Sequence, residues 1–196
     1  MVRWWVAVFI FVALCPPALA DAALELVSAA RAQVGRTLIY DPRYEKLAYP
    51  MGDVPIARGV CTDVVIRAFR GQGVDLQRLV HEDMRDHFKA YPQAWGLARP
   101  DANIDHRRVP NLATYFKRRG MELAAGDYPL GDYRAGDIVT WMLPGNLPHI
   151  GIVSDRTDPG SGRLLIIHNI GAGAVEEDML TAYPITGHFR WFPAAN

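Results

Sequence analysis

The chain has 196 residues, half of them apolar and 21% charged, with 21 Lys+Arg against 21 Asp+Glu. This profile fits a single globular domain and argues against a polybasic nucleic-acid binder or an acidic disordered tail, while two cysteines are too few for a disulfide scaffold. The 17 Gly and 14 Pro are spread along the chain without a repeat or a biased linker.

Residues 1–20 read as a signal peptide. Arg3 gives a basic start, Trp4 to Cys15 is an unbroken apolar run too short for the ~20 residues a membrane span needs, and Pro16-Pro17 precedes the small-x-small site Ala18-Leu19-Ala20. The alternative, Cys15 as a lipoprotein cysteine, meets Leu14 where that signal needs a small residue. Cleavage after Ala20 predicts a single domain over 21–196, periplasmic or secreted, in which Cys61 is the one remaining cysteine. A lone thiol in an oxidising compartment is a liability unless it is a buried hydrophobe or a nucleophile.

A first helix is predicted over Ala22 to Val34, with Asp21 as N-cap, Gly35 as stop and Leu24, Val27, Ala30 and Val34 on one face. Thr37 to Gly59 is rich in Tyr, Pro, Gly and Asp and reads as a long loop, a length commonly reserved for function. The apolar segment from Gly59 to Gly71 is predicted as a buried helix beginning at Cys61, with Val64, Val65, Ala68 and Phe69 inward. Asp75 caps a further helix with Leu76, Leu79, Val80, Met84 and Phe88 inward, and Pro110-Asn111 opens another that runs to Arg119-Gly120. Strands are predicted at Asp137–Trp141, His149–Ser154, Arg163–His168 and Ile185–Trp191. Helices followed by consecutive strands indicate an α+β fold with an antiparallel sheet.

A thiol at a helix N-terminus faces unpaired N–H groups and the positive end of the dipole, which favour the nucleophilic thiolate. His149, opening a strand after the turn Pro144 to Pro148, is the candidate base. An orienting group is supplied by His168 or Asn169 at the end of the next strand, of which alternation lets only one face the site. Asp63 lies in the first turn of the Cys61 helix, where a carboxylate normally serves as a cap, and its charge would raise a neighbouring thiol's pKa. Asp137 is expected to be structural, His188 to be core or supporting, and His81 and His87 to be solvated. Asp105 to Arg108 can bind a carboxylate or form an ion-paired turn.

The blocks Gly59-Val60-Cys61-Thr62-Asp63-Val64-Val65, Arg134-Ala135-Gly136-Asp137-Ile138-Val139, Pro148-His149-Ile150-Gly151-Ile152-Val153 and Ile167-His168-Asn169 resemble, in this order, those of NlpC-like cysteine peptidases of the papain superfamily. More closely, Asn103 to Leu112 and Gly187-His188-Phe189-Arg190 resemble an exported bacterial family of that superfamily, the domain of unknown function numbered 1287, over nearly the whole mature chain. The resemblance implies a papain-like, NlpC-type core with the Cys helix packed on the antiparallel sheet. It also implies Cys61 as nucleophile, His149 as general base, His168 as third member and an amide substrate in the peptidoglycan stem peptides. Two departures stand out: Val60 occupies the place where NlpC-like enzymes commonly carry Asp, and Thr62-Asp63 the place of Ser-Gly. The expected oxyanion or substrate contacts are Tyr40, Asp63, Asn169 and Arg107. No cofactor, nucleic-acid partner or membrane contact after leader removal is expected. Two alternatives stay open: a zinc hydrolase using the same Cys and His side chains, although no His-Glu-x-x-His or Cys-x-x-Cys pair is present, and a catalytically silent envelope-binding module.

Overall fold

The structure, a computed structural model, describes residues 17–123 and 129–192. Most of the expected leader therefore lies outside the described residues, and its cleavage point falls within the first helix, α1 (Pro17–Arg31). The elements that follow are β1 (Ile39–Tyr40), β2 (Arg58–Gly59), α2 (Cys61–Gly71), α3 (Leu76–His87) and α4 (Val109–Arg118). After them come β3 (Ile138–Leu143), β4 (Leu147–Thr157), β5 (Leu164–Asn169), β6 (Ala174–Glu177) and β7 (Ile185–Phe189). The last five strands form one antiparallel sheet in the order β6-β5-β4-β3-β7, and α2 packs on it, so the α+β architecture is as expected.

Strand alternation gives the sheet two apolar faces. Ile138, Ile150, Ile152, Ile167 and Phe189 point to the helices and meet Val64, Val65, Ala68 and Phe69 of α2 together with Leu26 and Val27 of α1. On the outer face Val139, Trp141, Val153 and Ile166 are covered by Tyr133, Met179 and Leu180. A sheet buried on both sides explains why these strands read as continuous apolar runs rather than as alternating ones.

α1 differs from its prediction in both register and extent. Leu24 and Val34 are exposed, whereas Ala23, Leu26, Val27 and Ala30 are buried, a stripe at i, i+3, i+4 and i+7 that points at α2 and the sheet. The helix ends at Arg31, whose guanidinium pairs with Glu176 on β6 at 2.7 Å and with Asp155. The α2, α3 and α4 predictions agree with the structure to within two residues, and Asp75 caps α3 by accepting from the Gln77 N–H at 3.0 Å. Two features are absent from the sequence reading: the four-residue edge strand β6 and the two-residue parallel ladder β1–β2 inside the long loop. That loop is held by Arg67 of α2, which donates to the carbonyls of Val54 and Arg58 at 3.0 Å, to Thr37 Oγ1 at 3.1 Å and to Asp53 at 3.0 Å. A buried arginine with this many acceptors acts as a bracket between helix and loop.

Gly151 lets β4 and β5 approach closely. A Cβ there would lie 2.7 Å from Ile166 Cγ2 and 3.1 Å from His168 Cβ, inside contact distance. Gly151→Ala is expected to lower stability by about 1–3 kcal/mol through overpacking, read as a reduced midpoint in urea denaturation with an unchanged m-value; an unchanged midpoint would show that β5 yields freely.

Candidate active site

α2 starts where it does because three groups anchor its first turn. Asp63 Oδ2 accepts the Val60 N–H at 2.7 Å, covering one of the donors a helix start leaves unpaired. Arg107 then grips the same carboxylate through Nε at 3.0 Å and Nη2 at 2.9 Å, both side chains being almost fully buried. Thr62 Oγ1 donates to the Arg107 carbonyl at 3.1 Å, and Arg107 also donates to the carbonyls of Asp41 and Arg43, both at 3.2 Å. On the other flank, Asn169 Nδ2 donates to the Gly59 carbonyl at 3.0 Å. At Gly59 a Cβ would sit 3.0 Å from Asp63 Oδ2 and 3.1 Å from Asp63 Cβ, so a larger residue would make the Asp63 side chain give way.

Cys61 thus occupies the first position of α2 and is 3% exposed. The backbone N–H groups of Ile150 and Thr62 and the Tyr40 hydroxyl favour its charged form. The direction of the Ile150 N–H follows from the sheet. Val153 donates its N–H toward β3, to the Asp137 carbonyl at 2.8 Å, so by alternation the Ile150 N–H points to the β5 side. Registered β4–β5 pairs begin at Ile152↔Ile167, so the Ile150 N–H lies beyond them on the His149 side. Ile150, the residue after His149, and Cys61 belong to the same core cluster between α2 and the sheet.

His149 and His168 lie on the outer face of the sheet, with His149 beside Trp141 at 6.0 Å between ring centroids. His149 Nε2 is 2.8 Å from His168 Nδ1, and His168 Nε2 is 2.9 Å from Glu177 Oε1. The carboxylate can only accept, so His168 carries its proton on Nε2 and its Nδ1 is an acceptor. His149 Nε2–H then donates to it, leaving His149 Nδ1 with a lone pair. Asn169, one residue on, points to the opposite face and pins Gly59, which answers which of the two neighbours pairs with His149. Glu177 was missed by the sequence reading because β6 is too short to show a period. It sits diagonally from His168 across β5–β6, where Val175 is His168's direct partner.

Among the other expected site residues, Tyr40 lines the same cavity as Cys61, whereas Asp63 and Arg107 face each other and shape the first turn. Asp137 is buried and structural as expected, accepting from Arg190 and His188, and His188 stacks on Tyr133 at 4.1 Å. His87 is exposed, but His81 is partly buried edge-on to Tyr49 at 5.2 Å and is not a solvated side chain. Among the described residues, no three His, Cys, Asp or Glu side chains converge as a metal cage. Cys61 and Tyr40 line a cavity of about 180 Å³ with Pro42, Trp95, Arg107 and Arg108.

The charge state differs from the expected thiolate. Burial pushes the Cys61 thiol up to about 12, reinforced by the Asp63 carboxylate and opposed by the Ile150 and Thr62 N–H groups and the Tyr40 hydroxyl. Desolvation outweighs the helix terminus here. Burial also takes the Tyr40 phenol up to about 12, keeping it a hydrogen-bond donor. Burial, with a smaller contribution from His168, holds His149 down at about 3, and burial lowers His168 as well. Burial thus favours the neutral form of the thiol and of both imidazoles.

Neutral buried histidines make a pH prediction. His149 and His106, both held at about 3 by burial, stay unprotonated in the folded chain as pH falls, while the unfolded chain binds protons below its ordinary value of about 6.5. Stability is therefore full above that value and declines as pH drops from 7 to 5, by about 1–2 kcal/mol for each such histidine. Thermal melts across this range should show the decline, with a smaller slope in His149→Gln; a flat profile would show that these histidines titrate normally in the folded state.

The sequence is similar to "Uncharacterized protein YijF" of Escherichia coli (strain K12), 57% identical over 173 residues that span 88% of this chain and 83% of that one. Among solved structures it is similar to NlpC1 from Trichomonas vaginalis, with a TM-score of 0.45 and 11% identity across 88% of this chain; this chain spans 45% of that one, less than half its length. Residues 27–191 match the family described as a domain of unknown function (DUF1287). With most of its length matched, from α1 through β7, the chain belongs to the DUF1287 family.

Proposed function

We propose that this protein is a cysteine hydrolase that cleaves amide bonds. The observation that carries this reading is the polarised hydrogen-bond chain His149–His168–Glu177, which leaves His149 Nδ1 as a base on the residue before Ile150, a member of the same core cluster as Cys61. In this reading His149 Nδ1 has to come within hydrogen-bonding reach of the thiol, whose proton it takes as Sγ attacks the substrate carbonyl carbon. Proton transfer and attack occur together, because a free thiolate is unfavourable in this buried setting. The tetrahedral oxyanion is held by the Cys61 N–H, unpaired at the start of α2, and by the Tyr40 hydroxyl. His149 then gives its proton to the leaving amine as the C–N bond breaks. Water, deprotonated by the same nitrogen, hydrolyses the thioester and restores the thiol.

The substrate class in this reading is the peptide of the bacterial envelope, above all the peptidoglycan stem. It is supported by the signal-peptide pattern of residues 1–20 and by the resemblance of the Cys and His blocks to NlpC-like peptidases. A periplasmic or secreted location is part of the same proposal.

The test is digestion of purified peptidoglycan, with fragments resolved by mass spectrometry. New stem-peptide fragments are expected with the wild type and with chelator present, and none with Cys61→Ala or after thiol alkylation. His149→Ala should lower kcat by roughly 10²–10⁴-fold, the usual contribution of a general base. Loss of activity with chelator alone would instead support zinc chemistry, and absence of any fragment would remove the proposed substrate.

Glu177 enters this mechanism as a positioning residue. Glu177→Ala should lower kcat about tenfold and change its pH profile, because His168 is then free to adopt the other tautomer. Glu177→Gln retains an acceptor oxygen for His168 Nε2–H and should recover most of the rate; equal losses in both variants would show that the carboxylate acts in another way.

A further inference from the structure

Arg107 and Arg108 are adjacent in sequence and both line the Cys61 cavity, but their surroundings differ sharply. The Arg107 guanidinium donates four hydrogen bonds, two to Asp63 and two to backbone carbonyls. Arg108 is also mostly buried, its side chain 17% exposed, yet its Nη1 is enclosed without a hydrogen-bond partner. The carboxylate that faces it, Asp105, stands at 3.6 Å, too far to accept a hydrogen bond, and Asp105 Oδ1 is itself unpartnered. Burial lowers the Arg108 pKa, and Asp105 and Asp101 offset this only in part. The Arg108–Asp105 ion pair therefore compensates the charge without a hydrogen bond at Nη1, so the protein alone satisfies this guanidinium less fully than it does that of Arg107.

A second observation concerns Trp95. The Arg108 guanidinium carbon lies 4.2 Å from the centroid of the Trp95 ring. Trp95 is half exposed and holds φ at 68°, in the left-handed region that costs a bulky residue strain. The guanidinium over the indole face is held in place by a cation–π contact, and a guanidinium is matched in shape to a planar, two-oxygen acceptor. The remainder of the cavity wall is largely apolar, with Pro42, Val60, Ile104, Val109, Pro110 and Pro148. At about 180 Å³ the cavity is smaller than the ~300–1,000 Å³ of pockets that enclose a whole drug-sized ligand. It suits one residue of an extended substrate.

We propose that this cavity is a carboxylate-binding subsite in which Arg108, backed by Trp95, holds a carboxylate of the substrate beside Cys61. Binding of the carboxylate stands on the cavity alone. Its consequence, that the cleaved amide belongs to a residue bearing a free carboxylate or lies next to one, rests on the cysteine-hydrolase reading.

The experiment compares two alkylating probes of matched size on the full chain: iodoacetate, which carries a carboxylate, and iodoacetamide, its neutral counterpart. Each forms an S–C bond at Cys61 with loss of iodide and the thiol proton, and mass spectrometry reads the Cys61 peptide separately from Cys15. Taking the ratio of the two rates at one pH cancels the thiolate fraction. The iodoacetate-to-iodoacetamide ratio for Cys61 is expected to exceed that of glutathione by about tenfold, the scale of a charge-assisted hydrogen bond. Arg108→Gln should return it to the glutathione value, while Arg108→Lys, which keeps the charge but not the fork, should fall between the two. Unchanged iodoacetamide kinetics would certify that each variant is folded at this site. A wild-type ratio equal to that of glutathione, a ratio that survives Arg108→Gln, or no reaction of Cys61 with either probe overturns the subsite. Peptidoglycan cleavage that depends on Cys61 would then stand without it, whereas a high ratio without cleavage of any peptide would retain the anion site and remove the hydrolase reading.

Discussion

The buried pair between Asp63 and Arg107 determines where α2 begins, and the rest of the candidate site is arranged around that point. Two opposite charges removed from water lose several kcal/mol of solvation each, which a single Coulombic contact does not dependably recover. Here the loss is offset by a bidentate geometry and by further bonds from the same groups, to the Val60 N–H on one side and to the Asp41 and Arg43 carbonyls on the other. The pair therefore joins the upstream loop, the first turn of α2 and the turn before α4 at a single point. Asn169 adds the sheet to this assembly through the Gly59 carbonyl, so that Cys61 is held from three directions before any catalytic contact is counted.

The sheet supplies the second constraint. Successive residues of a strand point to opposite faces, and both β5 and β6 use this to divide labour between neighbours. In β5, His168 turns outward to His149 while Asn169 turns toward the Cys61 loop. In β6, Glu176 pairs with Arg31 of α1 while Glu177 accepts from His168. Each strand thus ties down the helical layer with one residue and orders the imidazoles with the next. The edge position of β6 leaves the Glu177 carboxylate half exposed, with its side chain 53% accessible, so it stays solvated while still accepting from a fully buried histidine.

Burial governs the electrostatics. A helix N-terminus stabilises an anion by a modest amount that fades with distance, whereas enclosing a thiol in apolar surroundings penalises its charged form more strongly. The same enclosure holds the imidazoles neutral, so no preformed ion pair occupies the site at rest. A neutral His168 keeps the tautomer chain intact, because a proton on its Nδ1 would face the His149 Nε2–H donor to donor, whereas a proton on His149 Nδ1 leaves the chain unbroken.

Local chemistry in the sequence was enough for the elements that carry their own signals. The apolar spacing and terminal glycine of α2, the Asp75 cap of α3, the Pro110 start of α4 and the apolar runs of β3, β4, β5 and β7 are short-range features, and so are the thiol and the first histidine of the site. The face of α1 was misread because two stripes on that helix are apolar and only packing against α2 selects one. β6 was missed because four residues are too few to show a period. The choice of His168 over Asn169, the contact of Glu177 with His168, the mutual pairing of Asp63 with Arg107 and the neutral thiol were decided by tertiary structure alone. Each depends on which residues distant in sequence are brought within hydrogen-bonding reach and on how much water is removed around them, and neither quantity is encoded in any short stretch of the chain.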